Sequence, residues 1–211
     1  MKKSFLKSGF TISEAVLTML IIGIIVSLAV AGVKFFNPTE KGYDTLAIKT
    51  SENIEAATTQ ILLNNASYDN FLRIKDGKTY FSIKDADATG KIANLYTKYL
   101  TDVNYNVDLK NEYFSNEIKD YDDSLTGLKL QDAYSNFFYV TDGALIGFRF
   151  YQTCKATEEN ANPPLYRGRY SLENVCGSVF FDINAFKKPN KLGFDQYVLP
   201  IYERGIKYNN D

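Results

Sequence analysis

KSGFTISEAVLTMLIIGIIVSLAVAGV, residues 7–33, is the stretch that decides the expected fold, because it joins an isolated glutamate to a long apolar run. The run covers residues 15–33, nineteen positions without a charged side chain. At about 1.5 Å per residue, a helix of this length reaches about 28 Å, close to the hydrocarbon thickness of a bilayer. The sequence therefore predicts a membrane-spanning helix.

The residues before this run predict its orientation. Lys2, Lys3 and Lys7 precede it, and basic residues favour the cytoplasmic side of a membrane. We expect a single span in the inner membrane, with the remainder of the chain outside the cytoplasm. Glu14 is the exception in this picture, because an acidic group at the start of a membrane segment is costly without a cationic partner.

The composition of the 211 residues narrows the function. Lysine and arginine total 24 and aspartate and glutamate 25, so the net charge of -1 gives no indication of a nucleic-acid ligand. Histidine is absent, which removes the commonest general base and the usual zinc ligand. The acidic pairs at residues 122–123 and 158–159 are interpreted as solvated charges. We expect a protein that is not an enzyme.

Residues 7–14 carry a family resemblance. A short basic leader is followed by Gly9, by Phe10-Thr11, and by Glu14 at the opening of the apolar run. This arrangement resembles the class III prepilin signal of the type IV pilin family, which includes the pseudopilins of type II secretion. The resemblance implies that prepilin peptidase cleaves after Gly9 and methylates the new N-terminal residue, Phe10.

The same resemblance implies a function and its partners. The chain would be a structural subunit of a type II secretion or type IV pilus-like filament, in the periplasm or on the cell surface. Its partners would be other pilin or pseudopilin subunits, an inner-membrane platform protein and an assembly ATPase. Glu14 would pair with the Phe10 amine of a neighbouring subunit, which relieves two otherwise unpaired charges in a layer of low dielectric constant.

Two other interpretations of the N-terminus remain open. Ala29-Val30-Ala31 reads as a secretory cleavage site before Gly32, and a plain signal anchor would leave the apolar run in place. Either would make the chain an exported or membrane-anchored binding module. Against secretion, the apolar run is longer than the usual signal core of about 7–15 residues, and Glu14 lies at its start.

The expected fold is α+β and pilin-like, with a long N-terminal α-helix packed on a C-terminal antiparallel β-sheet head. The expected parts are a cleaved leader (1–9), a transmembrane or filament-core helix (10–36), an amphipathic continuation (37–65) and an exported globular head (66–211). Pro38 predicts a kink or break between the two helical parts. Apolar residues then recur at steps of three and four, as in an amphipathic helix: Tyr43, Leu46, Ala47, Ile54, Ala57, Ile61 and Leu62.

The C-terminal third predicts antiparallel strands. Residues 136–141 and 144–151 flank Asp142-Gly143, a pair that suits the positive φ angles of a two-residue hairpin turn. Residues 177–183 and 197–202 predict further strands. Residues 66–136 carry no functional signal, and residues 85–90 are interpreted as a polar turn although they mimic the start of a calcium-binding loop.

The two cysteines predict one disulfide. Cys154 and Cys176 both lie on the side of the apolar run that is expected to be exported, where the environment is oxidising. No histidine or CxxC spacing accompanies them, so a metal or redox site is not indicated.

The last informative stretch is residues 177–205, which resembles a C-terminal pattern of pseudopilin-like proteins. The matching residues are Asp182, Asn184, Pro189, Asn190, Gly193, Asp195 and Tyr197, and Ala185 stands where glycine is usual. The resemblance makes Asp182, Asn184 and Asp195 candidate calcium ligands, with the hard oxygens that calcium favours. The alternative is that these side chains cap turns through backbone hydrogen bonds. No other cofactor is indicated.

Overall fold

The computed structural model describes residues 40–64, 71–85, 88–140, 143–154 and 174–206. By its internal contacts the chain divides into Met1–Thr39 and Glu40–Asp211, and every described residue belongs to the second unit. The predicted leader and apolar run lie outside the described residues.

The centre of the second unit is a five-stranded antiparallel sheet in which each strand pairs with its neighbour in sequence. Its strands are β5 (Ser135–Tyr139), β6 (Leu145–Phe150), β7 (Val175–Asp182), β8 (Gln196–Tyr202) and β9 (Gly205–Ile206). All eight residues of β7 are buried, because apolar clusters cover both faces of this central strand. The predicted C-terminal strands are therefore confirmed.

The β5–β6 hairpin differs in one detail from its prediction. The Val140 N–H donates to the Ala144 carbonyl at 3.0 Å, so these two residues close the turn. Three residues, 141–143, separate this hydrogen-bonded pair, where the sequence predicted a two-residue turn. Gly143 has a φ of 79°, a conformation that suits glycine because it lacks a Cβ.

Helix α1 (Glu40–Asn64) packs in the cluster on one face of the sheet. Ala47, Ile54 and Ile61 are buried on one side of it, whereas Glu52 and Glu55 are exposed. This division confirms the predicted amphipathic helix, because residues three and four apart share a helical face.

The predicted long N-terminal helix is wrong for the described chain. The helix that packs on the sheet begins at Glu40, and among the helices of the described residues none is long and apolar enough to cross a membrane. Pro38 lies two residues before this start, and proline lacks the N–H that a helix interior needs, so a boundary here follows from the sequence. The predicted membrane-spanning part, residues 10–36, lies outside the described residues.

The middle of the chain forms small elements around this core. Two hairpins, β1–β2 and β3–β4, and three further helices surround the sheet. The ranges are β1 (Leu72–Lys75), β2 (Lys78–Phe81), α2 (Ala88–Tyr99), α3 (Glu112–Ser115), β3 (Glu117–Lys119), β4 (Leu125–Lys129) and α4 (Leu130–Ala133). The polar-turn interpretation of residues 85–90 is wrong at its end, because residues 88–90 form the first turn of α2.

Candidate functional site

The predicted C-terminal residues meet in the connection between β7 and β8. Asp182 is the last residue of β7, and Asp195 directly precedes β8. Both carboxylates are fully buried. The Asn184 backbone N–H donates to Asp182 Oδ1 at 3.0 Å, and Asn184 Nδ2 donates to Asp195 Oδ2 at 3.1 Å. The structure therefore brings the three candidate ligands together, and we call Asp182, Asn184 and Asp195 the loop cluster.

Asp195 organises the loop that precedes it. Its Oδ2 accepts the Asn190 N–H at 2.8 Å, and its Oδ1 accepts the Lys191 N–H at 2.7 Å. Burial raises the pKa of the Asp195 carboxyl, and the hydrogen bonds from Lys191, Asn190 and Asn184 oppose that rise. This carboxylate therefore caps a turn in the manner that short acidic side chains favour.

Asp182 is also held by two residues that the sequence did not single out, Tyr113 and Gln196. The Tyr113 hydroxyl donates to Asp182 Oδ2 at 2.6 Å, and Gln196 Nε2 donates to the same oxygen at 3.2 Å. Burial raises the pKa of Asp182 to about 8, although these hydrogen bonds lower it, and the charge of Asp195 adds to the rise. Burial, followed by the charge of Asp182, also holds the pKa of Tyr113 well above its usual range.

Tyr113 is the second residue of helix α3, and the start of this helix fixes its position. Asn111 precedes this helix, and its side-chain oxygen accepts the Tyr113 N–H at 2.9 Å. An asparagine followed by a glutamate is a helix-start signal, so the sequence contained a local cue for α3. Nothing local indicated that Tyr113 contacts a carboxylate 69 positions later.

The loop cluster also contacts the N-terminal part of α1. Asn184 Nδ2 lies 3.4 Å from the Tyr43 hydroxyl, and the rings of Tyr43 and Phe194 meet edge to face at 5.4 Å. Through Tyr43, these contacts connect the β7–β8 connection to the first turn of α1.

The backbone of the loop is unusual at several positions. Ala185 has a φ of 55° and Asn190 also 55°, and Gly193 has 77°. The Lys188-Pro189 peptide bond is cis. Ala185 therefore adopts the left-handed conformation that glycine would adopt more easily at the position where the family pattern has glycine.

The loop cluster does not fit calcium well. Calcium takes about six to eight oxygen ligands, and each carboxylate oxygen of Asp182 and Asp195 already accepts an N–H or O–H from the protein. Two buried oxygens, Asn184 Oδ1 and Gln196 Oε1, have no partner in the described part of the chain, and two oxygens fall short of the number of ligands that calcium takes. The residues that the structure describes include no group of three or more acidic, histidine or cysteine side chains able to hold a metal. The geometry matches the turn-capping alternative.

The predicted disulfide is confirmed. Cys154 and Cys176 are joined with an S–S distance of 2.08 Å, and both side chains are buried. The bond connects a short 3₁₀ turn (Gln152–Cys154) to β7. It therefore anchors the end of the β6 segment to the central strand of the sheet.

Other sequence-predicted residues lie apart from the loop cluster. Asp123, from the acidic pair at 122–123, is exposed and forms an ion pair with Lys191 at 2.6 Å. Residues 158–159 lie outside the described residues, as do Gly9, Phe10 and Glu14. A cavity of about 380 Å³ lies beside the cluster, with Tyr113, Phe186 and Gln196 among its lining residues.

Comparison of the chain with protein-family models, with curated proteins and with solved structures finds no match.

Proposed function

We propose that this chain is a structural subunit, pilin or pseudopilin, of a type II secretion or type IV pilus-like filament. Prepilin peptidase cleaves it after Gly9 and methylates Phe10. The observation that carries the proposal is residues 7–14, where Gly9, Phe10 and Glu14 stand in the prepilin arrangement directly before an apolar run. The remaining partners are other subunits, the inner-membrane platform protein and the assembly ATPase.

Glu14 has a defined role in this proposal. Cleavage gives Phe10 a new α-amino cation, and Glu14 is an anion four residues along the same chain. When subunits are staggered, the Glu14 carboxylate of one subunit pairs with the Phe10 amine of the next. Removing either partner from such a buried pair is costly, because the other charge is left uncompensated. Assembly therefore depends on the charge of Glu14, whereas processing depends on the residues before it.

The disulfide supports export of the second unit. Disulfides persist in oxidising compartments and are rare in the cytosol. Cys154 and Cys176 are 22 positions apart in the sequence. Closing a loop of that size in the unfolded chain stabilises the folded state by about 3 kcal/mol. A head that relies on such a bond is suited to the periplasm or the cell surface, which is the location we propose.

The test compares Glu14→Gln and Glu14→Ala with the unchanged chain in cells that contain prepilin peptidase and the assembly machinery. We expect all three to be cleaved, and both variants to lose most of the sheared or pelleted filament. Glu52→Gln, which changes an exposed glutamate of α1, is the matched control and should assemble normally. Normal assembly of Glu14→Gln would contradict the charge-pairing mechanism.

The alternative is an exported or membrane-anchored binding module. The cavity beside Tyr113 and Gln196 is the observation that favours it, because binding sites are concave and combine aromatic with polar side chains. A binding module would not self-assemble, and it would keep its leader or begin at Gly32. The N-terminus of the mature protein therefore separates the two functions.

A further inference from the structure

The C-terminal pattern that the loop resembles is associated with calcium, so we consider which groups occupy the place of a cation between its oxygens. The Asn184 amide nitrogen has three oxygens around it. They belong to the Asp195 carboxylate at 3.1 Å, the Tyr43 hydroxyl at 3.4 Å and the Lys188 carbonyl at 3.5 Å. Carboxylate and backbone carbonyl oxygens such as those of Asp195 and Lys188 are ligands that a hard cation takes. Here an NH₂ group lies between them.

The orientation of this amide follows from its neighbours. The nitrogen and oxygen of an asparagine side chain are assigned from the hydrogen bonds they make. Every atom near Nδ2 accepts hydrogen bonds or is able to, whereas Oδ1 has no partner among the described residues. Turning the amide over would place an oxygen against the Asp195 carboxylate and the Lys188 carbonyl, which would repel it.

Both carboxylate oxygens of Asp182 are likewise occupied by protein donors. The Tyr113 hydroxyl at 2.6 Å and Gln196 Nε2 at 3.2 Å occupy Oδ2, and the Asn184 N–H occupies Oδ1. Both donors to Oδ2, Tyr113 and Gln196, are buried side chains. Tyr113 comes from helix α3, 69 positions before Asp182 in the sequence. The conformation of the loop therefore depends on the tertiary packing of α3 against it.

We infer that the β7–β8 connection closes without a metal ion, and that the Asn184 amide and the Tyr113 hydroxyl provide the contacts that a calcium ion would otherwise supply to Asp195 and Asp182. The filament subunit proposed above would then have a head whose stability is independent of calcium. This inference does not depend on the filament proposal, because it concerns only the described unit.

The first test is thermal unfolding of the full chain, extracted in detergent, in the presence of a calcium chelator and of millimolar calcium chloride. A ligand that binds only the folded state raises the melting temperature, and the rise grows with the logarithm of the ligand concentration above the dissociation constant. We expect the same melting temperature in both conditions. A rise that grows with calcium concentration and is absent with magnesium would overturn the inference.

The second test changes the amide into a carboxylate. Asn184→Asp removes the NH₂ donor and places a negative charge beside Asp195, so we expect a lower melting temperature in chelator and a specific recovery in calcium. Asn94→Asp, which adds the same charge on an exposed position of α2, is the control and should respond to neither condition. If Asn184→Asp lost stability without recovering in calcium, the amide would not occupy the position of a cation. The unchanged chain alone decides the matter should this variant fail to fold.

Discussion

At the scale of single residues, Asp182 links the pH of the solution to the stability of the fold. Its pKa is raised to about 8 in the folded chain from 3.8, chiefly by burial. The folded state therefore holds a proton that the unfolded state has released between about pH 4 and pH 8. Stability falls with rising pH wherever the folded state binds more protons. The groups that face Asp182 are Tyr113, Gln196, the Asn184 N–H and Asp195, whose pKa is raised in the same direction.

The first prediction follows from this sign. We expect the free energy of unfolding of the unchanged chain, relative to Asp182→Asn, to decrease by a few kcal/mol from about pH 4 to about pH 8 and then to level off. Denaturant unfolding at several pH values measures it. Asp132→Asn, on the first turn of α4 and exposed, is the control and should show no such trend. A difference that increases with pH would mean that Asp182 is ionised in the folded chain.

The second prediction concerns Ala185, whose φ of 55° lies in the left-handed region. Ala185→Gly relieves the Cβ clash of that conformation but gives the unfolded chain more freedom. We expect a net stabilisation of about 0.5 kcal/mol. Ala56→Gly, at an exposed position within α1, should instead destabilise by about 1 kcal/mol because the helix needs no such freedom. Equal losses at both positions would contradict the strain at Ala185.

At the scale of elements, the sheet depends on close approach between neighbouring strands. A Cβ added at Gly177 of β7 would lie 2.5 Å from the Arg149 carbonyl oxygen of β6, a backbone atom. A Cβ added at Gly147 would lie 2.4 Å from an edge of the Phe137 ring, which is a side chain and not backbone. The two glycines therefore differ in how much their surroundings are able to yield.

The third prediction compares these two positions. Overpacking of a core costs typically about 1–3 kcal/mol, and we expect Gly177→Ala at the upper end of that range and Gly147→Ala at the lower end. Denaturant unfolding of both variants with the disulfide intact measures the difference. A larger loss for Gly147→Ala would show that the Phe137 ring is the more rigid obstacle.

The same scale shows what the sequence predicted and why. Helix α1 and the β5–β6 hairpin followed from local signals, namely the three-and-four spacing around Ile54 and the Asp142-Gly143 pair between two runs of strand-forming residues. Helix α2 was not predicted, because the polar residues at 85–90 resemble a turn, although its buried residues Ile92 and Tyr96 stand four positions apart on one helical face. The loop cluster was predicted by pattern, but its partner Tyr113 was not, since that contact depends on the tertiary fold.

At the scale of the whole molecule, the proposed function depends on the N-terminal residues. Stability depends on the residues of the second unit. Gly9, Phe10 and Glu14 determine processing and assembly in the proposal, whereas the sheet, the disulfide and the loop cluster determine the stability of the second unit. The two sets of residues do not overlap. Variants in the head should therefore change stability without changing the cleavage site.

The most direct measurement is the intact mass and N-terminal sequence of the protein recovered from its native membrane. The proposal predicts a chain that begins at Phe10 and carries one additional methyl group on its terminal amine. Gly9→Ala is the companion variant and should leave the leader attached. A chain that begins at Gly32, or one that keeps Met1 in cells with active prepilin peptidase, would contradict the account of a processed filament subunit.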